Sequence, residues 1–260
     1  MKRYFIEFLR KQLRMAGVEA MRHDTFENLV LEVKKGHDME LIQSVPERHI
    51  LEIVQNLSKS KSQLRQDLFV LSELDFIKEG FFVEFGATNG LDLSNTFLLE
   101  KGFGWKGILS EPARCWQHDL AANRTCYIEN KCVWKDSGSV LTFNEVDDAE
   151  LSTIRDYSKR DIHRTSRKSG HMYEVETISL VDMLKKYNAP HTIDYLSIDT
   201  EGSEFEILRA FDFDAYKFRV ITCEHNFTDA RDKILDLLIE KGYRRKFESL
   251  SKFDDWYVLS

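Results

Sequence analysis

The chain has 260 residues, is 42% hydrophobic and carries 37 basic against 44 acidic side chains, a net charge of −7. That length accommodates one large α/β domain with an extension, and the acidic balance excludes a general nucleic-acid binder, which needs basic surface. No apolar run nears the ~20 residues of a membrane span. Cys115, Cys126, Cys132 and Cys223 form no Cys-x-x-Cys pair, so they read as free thiols of a reducing, cytoplasmic compartment.

Residues 1–60 are predicted as an N-terminal helical extension and 61–260 as the main domain. Tyr4, Phe5, Phe8, Leu9 and Leu13 share a helical face, with Lys2, Arg10, Lys11 and Arg14 elsewhere. Such a helix packs on the domain or on a second copy of the chain, giving a homo-oligomer. The other reading lays it on an anionic membrane, without stable insertion. Glu7, Arg10 and Lys11 interrupt any signal-peptide core. Glu40 to Leu57 is a second helical region, with Pro46 at a helix start. Leu68 to Ile77 is the next helix, preceded by the polar Gln63, Gln66 and Asp67.

Phe81 to Phe85 is an apolar run holding one acid, Glu84, and it enters Gly86-Ala87-Thr88-Asn89-Gly90. Leu93 to Leu99 follows at helical spacing. Strand, tight loop and helix in this order commonly hold a nucleotide-like cofactor. Gly86 and Gly90 let the backbone come close to a ligand. Thr88 stands where a dinucleotide fingerprint needs its second glycine, which disfavours a nicotinamide-dependent Rossmann-like oxidoreductase. No Gly-Lys-Ser/Thr triplet follows, so the turn is not a Walker loop.

Trp105 to Glu111 is the second strand, stopped by Pro112. Glu111 lies about twenty residues past Gly90, where a carboxylate accepts from two ribose hydroxyls. A surface acid before a turn is the bland alternative. Thr125 to Glu129 is a third strand, and Val133 or Trp134 is placed to flank an adenine. Ser139 to Val146 and Met172 to Ile178 alternate as strands and pair within an insertion over about 139–178. The basic run between them includes Arg155, Tyr157, Arg160, His163 and Arg164. It reads either as a solvated loop or as a lid that collects an anionic substrate.

Leu180 to Tyr187 is helical, and Ile193 to Asp199 is the fourth strand. It runs into Thr200-Glu201-Gly202-Ser203-Glu204 and a helix, Phe205 to Ala210. Three carboxylates at one turn repel one another unless they bind something. N-capping by Ser203 or Glu204 is the other reading. Phe218 to Cys223 is the fifth strand and ends at Glu224-His225-Asn226, a second polar cluster at the same sheet edge. Asp229 to Lys241 is an amphipathic helix, and Tyr243–Phe247 with Trp256–Leu259 closes the chain as a strand pair.

The ordered series Phe82-Val83-Glu84-Phe85-Gly86-Ala87-Thr88-Asn89-Gly90, Ser94-Asn95-Thr96, Gly104-Trp105-Lys106-Gly107, Glu111-Pro112 and Asp199-Thr200-Glu201-Gly202-Ser203-Glu204 resembles the FkbM family of S-adenosylmethionine (SAM)-dependent methyltransferases. The resemblance implies an α/β fold: a class I SAM-methyltransferase (Rossmann-like), mostly parallel seven-stranded sheet with a terminal antiparallel strand, plus the helical extension. It implies O-methylation of a hydroxyl on a sugar, glycan or related small molecule, with a small-molecule or glycan acceptor as the partner. By that resemblance Glu84, Gly86 and Glu111 hold SAM, with Asn95 and Asp199 near it. Ala87, Asn89, Gly90, Ser94, Pro112, Val133, Gln66 and Asp67 are assigned to the same cofactor site.

His225 is the natural general base near neutral pH. Asp199, Glu201 or Glu224 replaces it where crowding raises a carboxyl pKa. Alternatively Asp199, Glu201, Glu224 and Asn226 bind Mg²⁺ or another divalent cation that acidifies the hydroxyl. Arg155, Tyr157, Arg160, His163, Arg164 and Glu204 are the candidates for binding an anionic acceptor. A non-catalytic SAM-binding scaffold is the remaining reading.

Overall fold

The computed structural model describes residues 23–146, 152–155 and 170–260. The chain divides into two units, residues 1–43 and 44–260. Helix α1 (His23–Ser44) accounts for the described part of the first. The helical face expected over Tyr4 to Leu13 lies outside the described residues. Residues 44–60 fall with the second unit, earlier than a boundary near 60, for a physical reason. His49 hydrogen-bonds Ser72 and Asp75, each at 3.0 Å, and Ile53 of α2 (Ile50–Asn56) is fully buried.

In chain order the second unit continues with α3 (Gln66–Glu73), β1 (Phe81–Phe85), α4 (Phe97–Phe103), β2 (Lys106–Ser110), α5 (Gln117–Asn123) and β3 (Tyr127–Glu129). A smaller layer follows: β4 (Cys132–Trp134), β5 (Val140–Glu145), β6 (Thr153–Ile154) and β7 (His171–Ser179). The chain then returns through α6 (Leu180–Lys186), β8 (Thr192–Ile198), α7 (Glu204–Ala210), β9 (Lys217–Glu224), α8 (Ala230–Glu240), β10 (Tyr243–Lys246), α9 (Glu248–Ser251) and β11 (Asp254–Leu259).

The main sheet has the order β10-β11-β9-β8-β1-β2-β3. β3, β2, β1, β8 and β9 run parallel, and β11 is antiparallel to both of its neighbours. This is the class I methyltransferase arrangement. The last strand in the chain is the reversed one, and it inserts between β9 and β10 rather than lying at the edge. The central strands are apolar on both faces, as a covered parallel sheet requires: Phe82, Val83, Ile108, Leu109, Leu196 and Ile221 are all fully buried. From β1 the chain goes to β2 on one side, and β8 lies on the other. The strand order therefore reverses at β1, and ligands bind beyond the strand ends at such a point.

The expected insertion pair is present as antiparallel β5 and β7, and β4 joins β7 in parallel. Ala113, Cys132, Phe143, Ile154 and Val175 give this layer its own small core. Thr153 on β6 donates its hydroxyl to the carbonyls of Thr200 and Glu201 at 3.3 and 3.1 Å. The insertion is thus tied to the turn after β8.

Helix α4 begins at Phe97 and not at Leu93. Glu84 explains the delay: its carboxylate accepts from the Asn95 N–H at 2.7 Å and from the hydroxyls of Ser94 and Thr96 at 3.1 and 2.5 Å. Leu93 takes a left-handed φ of 57° to bring these donors round.

Candidate active site

Strand register sets the site. Phe85 pairs with Ser110 and with Ile198, Ile198 pairs with Cys223, and Glu224 pairs with Asp254. The residues just past these positions, Gly86, Glu111 and Asp199, therefore gather at one sheet edge. A cavity of about 350 Å³ opens there, within the range of small-molecule sites. Glu84, Glu111 and Asp199, far apart in sequence, all line it.

Gly86 fixes how closely β1 and β8 meet. Its φ is +71°, and a Cβ there would fall 2.0 Å from the Asp199 carbonyl oxygen. Gly90 closes the turn with an N–H to the Ala87 carbonyl at 2.8 Å. Its φ is +74°, and a Cβ would strike Leu120 and Arg124.

Arg124, fully buried, holds the loop from beneath. It donates to Glu100 at 2.6 Å, to the Gly90 carbonyl and Ser94 hydroxyl at 3.1 Å, and to Thr96 at 2.8 Å. Its guanidinium also lies 3.7 Å from Glu84. Burial alone would raise the Glu100 carboxyl, but Lys101 and Arg124 hold it down to about 2. Replacing Arg124 by Met strands Glu84 and Glu100, and the expected loss is about 3–5 kcal/mol of stability in urea unfolding. Glu84 is saturated by these partners. It shapes the loop and presents only its edge to the cavity.

Glu111 is differently placed. Its Oε2 accepts from the Thr88 N–H at 2.9 Å and its Oε1 from the Ala113 N–H at 2.8 Å. Each oxygen keeps acceptor capacity toward the cavity. Burial pushes its carboxyl up to about 7 despite these bonds.

The far end of the cavity is crowded with acids. Oxygens of Asp199, Glu201 and Glu224 lie within 4.8 Å of one another. Asp199 is open to the cavity. Burial raises its carboxyl to about 7, the hydrogen bond from Glu224 pulls the other way, and the Asp254, Glu204 and Glu84 charges add to the rise. Glu224 rises well above the usual carboxylate range through burial, then through Asp199 and Glu201. Each carboxyl perturbs the other, so the pair titrates as a unit. Glu224 Oε2 and Asn95 Oδ1 are buried without a hydrogen-bond partner, and both residues line the cavity. Asn226 donates to Glu201 at 3.1 Å.

Several of the sequence candidates lie off the cavity or are engaged elsewhere. His225 does not line the cavity. Its Nδ1 accepts from the Phe227 N–H and its Nε2 bonds to the Asp254 carbonyl, both at 3.0 Å. The ring is fixed as a neutral tautomer with Nε2 protonated, burial lowers its pKa, and no nitrogen is free to take a proton from an acceptor. Glu204 caps its own turn, accepting from the N–H groups of Thr200 and Gly202 and from the Thr200 hydroxyl. Asp67 is fully buried, bonded to the Ser60 hydroxyl and the Leu68 N–H, and off the cavity. Asn89 makes an Asx turn with the N–H groups of Leu91 and Asp92. Ala87 and Gly90 shape the loop without lining the cavity. Arg155 is exposed and does not line it either. Tyr157, Arg160, His163 and Arg164 lie outside the described residues. Gln66, Gly86, Ser94, Asn95, Pro112 and Val133 do line the cavity.

A family model described as the methyltransferase FkbM domain matches residues 84–245, more than half of the chain. The chain belongs to the FkbM methyltransferase family. No curated protein sequence matches it significantly. Among solved structures, an FkbM methyltransferase from Methylobacillus flagellatus KT is similar at 13% identity and a TM-score of 0.46, over 97% of this chain and 70% of that one. A precorrin-6y C5,15-methyltransferase from Geobacter metallireducens GS-15 follows at 12% identity and 0.40, over 74% and 86%. A human methyltransferase 10 domain containing protein gives 13% and 0.38, over 75% and 81%.

Membership of the FkbM family implies SAM, and the cavity's chemistry fits that cofactor. The orphaned Asn95 Oδ1 and the Glu111 carboxylate are acceptors, as an ammonium and ribose hydroxyls require. Buried Val133 and half-buried Pro112 supply apolar walls for an adenine. Among the residues lining the cavity, Asp254 escaped the sequence reading. It faces Glu224 across β9 and β11, accepts from Gln66 Nε2 at 2.7 Å and is pushed by burial to about 7. The signal was the register of the closing strand, which starts at Asp254 and not at Trp256. Among the described residues no helix is long and apolar enough to cross a membrane.

Proposed function

We propose that the protein transfers the methyl of SAM to a hydroxyl of a sugar, glycan or related small molecule, with Asp199 as the general base. The arrangement that carries this reading is the close Asp199–Glu224 carboxyl pair, raised in pKa and lining the same cavity as Glu111. SAM, when bound, supplies an electrophilic methyl on a sulfonium. Glu111, Asn95 and the loop opened by Gly86 would hold it, with Val133 and Pro112 against the adenine. Asp199 would accept the proton from the attacking hydroxyl oxygen, and Glu224 would stabilise the charge by donating its own hydrogen bond. The remaining work is alignment of donor and acceptor. Four free thiols support a cytoplasmic setting.

Asp199, Glu201 and Glu224 also have the oxygen chemistry and spacing to take a divalent cation such as Mg²⁺. Methyl transfer that survives exhaustive chelation excludes that route. The reading as a whole is tested by incubating the protein with methyl-labelled SAM and a panel of glycosides. It fails if SAM binds and no hydroxyl is labelled.

Glu111 gives SAM binding a pH dependence. Ribose hydroxyls need the acceptor-only carboxylate, and protonation competes. SAM affinity should therefore rise as pH increases through about 7, by up to about tenfold per unit below it. Glu111→Gln should weaken SAM binding about 10- to 100-fold and flatten the dependence. Calorimetry from pH 6 to 8 reads both.

A further inference from the structure

We propose that the acceptor is an uncharged, ring-shaped polyol, and that Phe227 at the cavity mouth is the platform on which its apolar face rests. The inference rests on the methyl-transfer reading above and narrows its substrate.

Phe227 is 68% exposed, more than any other large hydrophobic side chain among the described residues, yet it lines the cavity. The fold holds it there. Asn226 and Phe227 have left-handed φ values of 43° and 55°, conformations that persist only where surrounding structure imposes them. The imposing group is His225: its Nδ1 binds the Phe227 N–H, and its ring meets the Phe227 ring edge-on at 5.3 Å. His225 is thus a positioning residue for the exposed ring. A rigid aromatic face presented to solvent beside carboxylates and amides matches a sugar, which has one C–H face and a rim of hydroxyl donors.

The charge of the lining sets the charge of the guest. Asp92, Asp199, Glu201, Glu224 and Asp254 line the cavity, and no Lys, Arg or His is among the described lining residues. An anionic acceptor would meet like charge in a poorly solvated space. An ammonium-bearing one would compete with the cationic donor for the same acids. Hydroxyl donors satisfy the orphaned Glu224 Oε2 without adding charge.

The test is calorimetric titration of the full chain, saturated with S-adenosylhomocysteine. The probes are methyl glucoside and methyl galactoside, against glucuronate, glucose 1-phosphate and methyl glucosaminide. At least one neutral glycoside should bind, with the charged probes at least about tenfold weaker. Phe227→Ala should weaken the neutral glycoside about tenfold, Phe227→Tyr should restore it, and neither should change the affinity for S-adenosylhomocysteine. Tighter binding of any charged probe, or unchanged binding in Phe227→Ala, overturns the proposal. If S-adenosylhomocysteine binds and no glycoside does, the proposal falls while methyl transfer to another hydroxyl stands. Failure to bind S-adenosylhomocysteine removes the methyl-transfer reading itself.

Discussion

Asp199→Asn should lower the rate of methyl transfer roughly 100- to 10,000-fold, the usual span for loss of a positioned general base. SAM affinity should change far less, because Glu111 and Asn95 are the residues proposed to hold the cofactor. The asparagine keeps the size of the side chain and removes the proton acceptor. The wild-type rate should rise with pH and level off above about 7, since burial and the neighbouring acids bring the base form into that range. Glu224→Gln separates the partners. Glutamine can still donate a hydrogen bond to Asp199 but carries no titrating carboxyl, so the rising limb should move to lower pH, with a smaller loss of rate. A pH-independent rate in the wild type, or an unchanged rate in Asp199→Asn, would remove Asp199 from the chemistry.

Gly86→Ala should damage folding as well as function. Its Cβ would sit 2.0 Å from a backbone oxygen that cannot rotate away, at a φ of +71°. Left-handed strain and the forced separation of β1 from β8 together cost at least about 3 kcal/mol. In a chain this long that is a drop of roughly 10 °C in melting temperature. SAM binding should weaken too, because Gly86 itself lines the cavity and opens the loop that would hold the cofactor. Thermal unfolding with and without SAM reads both effects. A variant that melts like the wild type would show that the close approach at Gly86 is not needed.

The parallel core strands could be read from the sequence because each is a short apolar run bounded by a turn or a proline. The acids that close them, Glu84, Glu111, Asp199 and Glu224, could be read for the same reason: position at a strand end is local information. What each acid does there was less legible. Glu84 is taken up by Ser94, Asn95 and Thr96, and by Arg124, which lies forty residues on. Glu204 is taken up by its own turn. His225 has the residue type and chain position of a base, but two backbone groups occupy its nitrogens, one of them an accepting carbonyl of the closing strand. Asp254 enters the site only through antiparallel pairing with β9, a long-range fact that no periodicity carries.

Single-turnover transfer tests the central claim most directly. The protein is loaded with methyl-labelled SAM, mixed with a neutral glycoside that it binds, and quenched over time, in wild type and Asp199→Asn. The account predicts that both bind SAM within about threefold of each other, and that only the wild type moves label to a glycoside oxygen at an appreciable rate. Equal transfer by both proteins, or label carried on any atom other than oxygen, would contradict it.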